Sequence, residues 1–425
     1  MYLPRKWPVG ISLLTDESFA SWFARIAWAH GATPSELYRI ALPGGRIGGI
    51  DLDRHACDDL IFNLSRNAGM PAAELEAGTI RRWRGSVYDH DDGKTPIVWL
   101  PPAGRAYAKS SFGQQVCPSC LAEDPEPYYR TSWRLSFHSV CTWHRQMMVD
   151  RCPGCAHPLH PSNTVAGATL ALCGFCGFDL RAIAATKVPE RDLAAQIRLL
   201  KVANGDWQPM GDYGPIHPVL FFRLFALLYR LVSSGRHALP LRQLLMLART
   251  DVRAEAIPRI REIDRHPARV RHLLVNLAWQ LGQDWPHRFV AACDAVGLHR
   301  WLLVKEPKDV PFSYADAVSR HLVRQMHHVG AEEVDTVSRH LFAVGQSPTY
   351  EALQGVLGVK FHAARKLAAP VKPHKPYGTH RYWKLDGVSP ATRAAVKKAA
   401  HKAGENVGAW VDLTLQNALK AQAKR

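Results

Sequence analysis

From Glu17 to His30 the apolar side chains Phe19, Trp22, Phe23, Ile26 and Ala27 recur at intervals of three and four. That pattern is one face of an amphipathic helix. Gly31 closes the segment. Thr33-Pro34-Ser35-Glu36 then predicts a second helix, with Thr33 as N-cap, Pro34 in the first turn and Glu36 completing a capping box. The arrangement recurs 38 residues later, with a helix near 56–68, Gly69, Pro71 and Glu74-Leu75. Helix, glycine turn and second helix is the sequence form of a helix-turn-helix, although a helical hairpin in a bundle has the same pattern. Residues 41–51 and 84–105 carry glycines and polar residues without periodicity and read as loops.

Periodicity returns from about Pro189 to His340. Leu220, Leu224, Leu227, Leu228 and Leu231 mark one core helix; Val270, Leu273, Leu274, Leu277 and Leu281 mark another; Pro286 and Gly297 punctuate the chain beyond it. A short helix over 347–357, capped by Ser347 or Thr349 and ended by Gly358, precedes a basic segment, 361–367, that could be its partner in a second helix-turn-helix. Next comes a proline-rich linker over 370–376, then a possible strand over 381–385 and helices over 390–402 and 407–419 about Gly404. Strand, helix, helix is the order of a ribbon-helix-helix module, which must dimerise to complete its sheet; an amphipathic helical tail is the simpler reading.

The expected fold is mainly α, with helix-turn-helix domains flanking a tandem zinc-finger module of the ribbon or knuckle type. Five segments are expected: an N-terminal helical domain at 1–110, the two-zinc module at 111–186, a helical domain at 187–345, the second helix-turn-helix at 346–370 and a basic tail at 371–425.

Charge narrows the choice of partner. Lys and Arg outnumber Asp and Glu by 54 to 37, a formal charge of +17. Residues 360–425 hold fourteen basic and three acidic side chains, a net of +11. Such an excess points to nucleic acid or another polyanion. The DNA-contact candidates are His362, Arg365 and Lys366 on the basic helix, Lys372 and Lys375 in the linker, Arg381 and Lys384 in the strand, and Arg393, Lys397 and Lys398 on the next helix. The most apolar stretch, Pro218 to Val232, includes Arg223 and Arg230 and is too short and too charged to span a bilayer. The first fourteen residues have no apolar run of signal-peptide length. A cytoplasmic protein without membrane contact is expected, and there reduced cysteines read as metal ligands.

Those ligands are conspicuous. Cys117/Cys120, Cys141/His144, Cys152/Cys155 and Cys173/Cys176 are four pairs, each with two intervening residues. They use seven of the nine cysteines; Cys57 and Cys293 stand apart and are expected as buried small hydrophobes. Two facing pairs supply the soft donors of a closed tetrahedral Zn²⁺ site, so two structural zinc ions are predicted. Loops of 20 and 17 residues favour sequential ligation, with Cys117, Cys120, Cys141 and His144 on one ion and the remaining four cysteines on the other. A cross-braced scheme would join the first pair to the third and the second to the fourth. His138, His157 and His160 lie nearby without the two-residue spacing. Pro127 to Trp133 packs aromatics beside Arg130, as a minicore under a knuckle or as a binding face. Saturated sites leave no open position for water or substrate, which argues against catalysis at the metals.

No other catalytic constellation emerges. Gly93-Lys94-Thr95 matches the end of a phosphate-binding loop, but Tyr88 occupies the position of its first glycine. G-x-S-x-G, H-E-x-x-H and a dinucleotide fingerprint are all missing from the sequence.

Cys117-Pro-Ser-Cys-Leu-Ala-Glu-Asp, Pro127-Tyr-Tyr-Arg, Trp133-Arg-Leu, Cys141-Thr-Trp-His and Cys152-Pro-Gly-Cys resemble the TniQ/TnsD family, as does the opening Asp16-Glu17-Ser18-Phe19-Ala20-Ser21-Trp22-Phe23-Ala24-Arg25. The resemblance is specific over residues 10–180 and looser to about 370; the basic tail lies outside it. It implies a target selector of bacterial transposons, without cleavage chemistry, that marks a DNA site for an AAA+ ATPase. Some members of that family read DNA themselves; others ride on an RNA-guided CRISPR effector, usually as dimers. Two rival functions fit the same motifs: a zinc-containing helix-turn-helix transcription regulator, and a DNA-processing enzyme with structural zinc.

Overall fold

A computed structural model of the protein describes residues 6–45, 50–103, 114–161, 167, 169–246, 256–323, 329–358 and 388–423. It divides into two compact units, Met1–Arg324 and Gln325–Arg425. The first three expected segments up to 324 lie in the first unit, and its cores draw on more than one of them.

The chain is mainly helical. The first unit opens with α1 (Phe19–Ala29), α2 (Pro34–Ala41), α3 (Leu52–His55), α4 (Asp58–Ala68) and α5 (Ala72–Ala77). Ser18 caps α1 by accepting from the Ser21 amide, and Thr33 forms the expected capping box with Glu36. Gly69 ends α4 in the left-handed conformation, which a glycine adopts without Cβ strain. Every residue from Phe19 to Ala27 is buried. One side of α1 places Phe19, Trp22, Phe23 and Ile26 in a core shared with Leu37, Leu60 and Leu64. Its other side lends Ala24 and Trp28 to the cysteine-rich module. Full burial of each such large apolar side chain contributes about 1.5–3 kcal/mol.

The cysteine-rich module contains α6 (Pro118–Glu123) and a two-stranded antiparallel hairpin, β1 (Val140–Cys141) and β2 (Gln146–Met147). It clasps the start of α1 through backbone bonds: Ser18 N donates to Tyr129 O at 2.8 Å and Thr131 N to Asp16 O at 2.6 Å. Tyr129 and Trp133 pack beneath the ligand cysteines, so the aromatic segment serves as a minicore.

The rest of the unit comprises α7 (Glu190–Ala203), the short hairpin β3 (Gln208–Pro209) and β4 (Pro215–Ile216), α8 (Pro218–Ser233), α9 (Ala238–Leu245), α10 (Ala268–Gly282), α11 (His287–Ala295), α12 (Arg300–Leu303) and α13 (Phe312–His321). Around α8 and α10 lies the largest core, which also takes in Trp83, Trp99, Leu135 and Phe137. Trp99 stacks on Phe225 at 5.2 Å and donates its indole N–H to the Phe222 carbonyl at 3.1 Å. The leucine stripe expected on α8 needs correction: Leu224 and Leu228 are buried, but Leu220 is 44% exposed. Phe221, Phe222, Phe225, Tyr229 and Val232 set the inward face instead. At 100° per residue Leu220 sits about 150° from the centre of that face. Among the described residues no single helix is long and apolar enough to cross a membrane.

In the second unit α14 (Ala331–Ala343) packs on α15 (Tyr350–Leu357) through Val334, Leu341 and Leu353. Thr349 caps α15 and Gly358 ends it at φ +66°. A separate hairpin of α16 (Pro390–Lys402) and α17 (Val407–Gln422) keeps close to the predicted boundaries. The proposed partner helix at 361–367 and the strand at 381–385 lie outside the described residues.

Candidate metal centres

Each ligand pair sits on a backbone that turns sharply. Cys117 is the N-cap of α6, and its Sγ accepts from the Cys120 amide at 3.5 Å. The other three pairs are each followed by a residue in the left-handed region: Arg145 (φ +50°), Ala156 (φ +59°) and Gly177 (φ +73°). That reversal brings both members of a pair to one side of the turn.

The geometry brings together the two sets expected for sequential ligation. Donor atoms of Cys117, Cys120, Cys141 and His144 lie within 4.8 Å of one another, as do those of Cys152, Cys155, Cys173 and Cys176. In the first set His144 Nδ1 is 3.4 Å from Cys117 Sγ, 3.3 Å from Cys120 Sγ and 3.5 Å from Cys141 Sγ, while the Cys120 and Cys141 sulfurs are 3.7 Å apart. A tetrahedral zinc ion with ordinary bond lengths requires S···S of about 3.8 Å and S···N of about 3.6 Å. In the second set Cys152 to Cys176 and Cys155 to Cys173 are both 3.6 Å. The donor sets therefore fit two structural zinc ions, and Cys₃His and Cys₄ coordination would leave neither ion an open position.

Partners that spacing alone could not reveal surround the first cluster. Buried Gln146 donates to Cys117 Sγ at 3.2 Å and accepts from Ser119 at 3.1 Å. Glu123 Oε2 lies 2.9 Å from His144 Nε2 and leaves Nδ1 for the metal. Such outer partners fix ligand orientation and offset thiolate charge. None of His138, His157 and His160 belongs to either set. His138 Nδ1 is bonded to the Ser132 carbonyl, and His157 stacks on Phe175 at 4.0 Å. Cys293 is buried as expected, whereas Cys57 is exposed at the cap of α4. Its position before the first helical turn, beside Asp58 and Asp59, keeps it at the surface.

Buried ion pairs, also silent in the sequence, hold the module to the helices. Arg134 bonds Asp51 at 2.7 and 2.9 Å and Asp53 at 2.6 Å. Arg25 pairs with buried Glu17 and also reaches the exposed Glu126, both at 2.6 Å. Arg271 reaches Asp150 at 2.9 Å. Of the DNA-contact candidates, Arg393, Lys397 and Lys398 are exposed on α16; His362, Arg365, Lys366, Lys372, Lys375, Arg381 and Lys384 lie outside the described residues.

Comparison with known proteins agrees with the motif reading. Residues 8–148, about a third of the chain, match the TniQ family. The matched span contains all four ligands of the first cluster and stops short of the second. No curated protein matches the chain significantly. The match supports a transposition-associated role in general terms, and it shows that this chain carries a TniQ domain at residues 8–148.

Proposed function

We propose that the protein is a non-catalytic target-site selector of a bacterial transposon, an adaptor between target DNA and an AAA+ transposition regulator. The observation that carries this reading is the TniQ match over residues 8–148. The ligand sets support the non-catalytic part, because metals saturated by protein donors brace a fold and do not activate water. On this reading Cys117, Cys120, Cys141 and His144 hold one zinc, the other four cysteines hold the second, and the protein works in the cytoplasm at the nucleoid. DNA is engaged directly, through the basic residues of 360–425, whose net charge of +11 supplies phosphate contacts. An RNA-guided CRISPR effector would need less of this charge. A homodimer is the assembly in which paired α16–α17 hairpins would complete a ribbon-helix-helix.

Binding of the full chain and of a form ending at residue 370 to duplex DNA, measured from about 50 to 300 mM salt, tests the DNA half of the proposal. Loss of affinity and a shallower salt slope in the shortened form are expected. Unchanged affinity and slope would remove the tail from the interface.

A further inference from the structure

The two donor sets differ in how well they are protected. In the first, Cys117, Cys120 and Cys141 are all buried, and Gln146 and Glu123 bond Cys117 and His144 from outside the set. In the second, Cys152 and Cys173 are buried, Cys155 is half-buried and Cys176 is exposed. Cys176 stands between the exposed Phe175 and Gly177, which turns at φ +73°. Among the described residues no side chain outside the second set bonds its sulfurs. This set also lies beyond the span that matches the TniQ family, which ends at residue 148.

Exposure decides which sulfur a small solute can reach. Oxidation of a cysteine follows its thiolate character and its access, and a metal-held sulfur has the first by definition. The first cluster offers no exposed sulfur. The second offers Cys176, with the buried Cys152 sulfur 3.6 Å from it. A sulfenic acid formed at Cys176 therefore has a resolving sulfur beside it.

We infer that the second cluster is a redox-sensitive clasp whose point of entry is Cys176 and whose oxidant is a peroxide. The Cys176 sulfur attacks one peroxide oxygen: an S–O bond forms, the O–O bond breaks, and the departing oxygen takes up a proton. The Cys152 sulfur then attacks the Cys176 sulfur; an S–S bond forms, the S–O bond breaks, and hydroxide leaves and is protonated to water. Two sulfurs together lose two electrons, which the peroxide gains. Cys155 and Cys173 alone are half of the four donors a structural zinc site needs, so the clasp opens. The first cluster, buried beside Tyr129, Trp133 and Ala24 of α1, stays closed. A thiol reverses the change by exchange with the disulfide. The inference goes beyond the adaptor reading and is independent of it, since it concerns only the relative protection of the two ligand sets.

The test treats full-length, zinc-loaded protein with hydrogen peroxide and follows zinc release with a metallochromic dye. Trypsin cuts after Arg151 and Arg181, and no Lys or Arg lies between, so one peptide carries all four cysteines of the second set. One zinc of two is expected to leave about tenfold faster than the other. At that point mass spectrometry of the alkylated digest should find a Cys152–Cys176 disulfide, with Cys117, Cys120 and Cys141 still reduced and the helical circular dichroism unchanged. Dithiothreitol with added zinc should restore the second ion. Cys176→His keeps four donors while removing the exposed thiol, and is expected to slow the first release about tenfold; if that variant fails to hold zinc, the mapping on the wild-type chain decides. Release of both ions at one rate, earlier oxidation of the first set, a disulfide that excludes Cys176, or loss of helix together with the first ion would overturn the inference.

Discussion

Arg134 shows what a single buried side chain does in this fold. Its guanidinium is 2% exposed and satisfies Asp51, Asp53 and the Pro101 carbonyl. Burial opposes ionisation of Asp51 most strongly, but the charge and hydrogen bonds of Arg134 and the Ala103 amide together outweigh it and hold that carboxyl below the usual range. For Asp53 burial dominates, and the neighbouring Asp51 charge adds to it, so its pKa is raised despite the same arginine. Removing the arginine would leave two carboxyl groups buried together without a cation. Arg134→Met is therefore expected to cost about 3–5 kcal/mol in urea unfolding at neutral pH. A loss below about 1 kcal/mol would show that the cluster is not what fastens the module to α3. None of these contacts is legible in the sequence: Arg134 is 83 and 81 residues from its partners, and no spacing rule links side chains so far apart. Cys57 misleads for a different reason, because a cap position looks like helix interior when only periodicity is considered.

At the scale of elements, the short-range features read well. Capping residues, glycine stops and ligand pairs act within a few residues of one another, so Thr33, Gly69, Thr349 and the four knuckles all fall where the residues place them. The stripe on α8 reads less well, because its leucines are shared between two faces and phenylalanines fill the inward arc. Sequence spacing also leaves the ligation scheme open, and the assembled donor sets favour the sequential one. The variant carrying both Cys120→Ser and Cys141→Ser tests this by elemental analysis. Both residues belong to one cluster, so the variant should keep one zinc of two. Loss of both ions would indicate cross-bracing, in which the two residues serve different metals.

For the whole molecule, the first unit joins the TniQ domain, the second cysteine cluster and the long helices through cores that cross the expected segment boundaries. Composition announces a helical, basic, metal-binding chain, but not the cores shared between segments, since these depend on contacts far apart in sequence. The second unit carries the exposed basic face of α16. Such a division suits an adaptor, with one part built around large apolar cores and another richly charged.

That account is tested most directly by capture on DNA. Immobilised duplex DNA is incubated with the AAA+ ATPase encoded nearest to this chain in its own genome, with and without the full-length zinc-loaded protein. The account predicts that the ATPase is retained only when the chain is present and that the DNA is recovered intact in the presence of Mg²⁺. Retention of the ATPase to the same extent without the chain, or recovery of cleaved DNA, would contradict it.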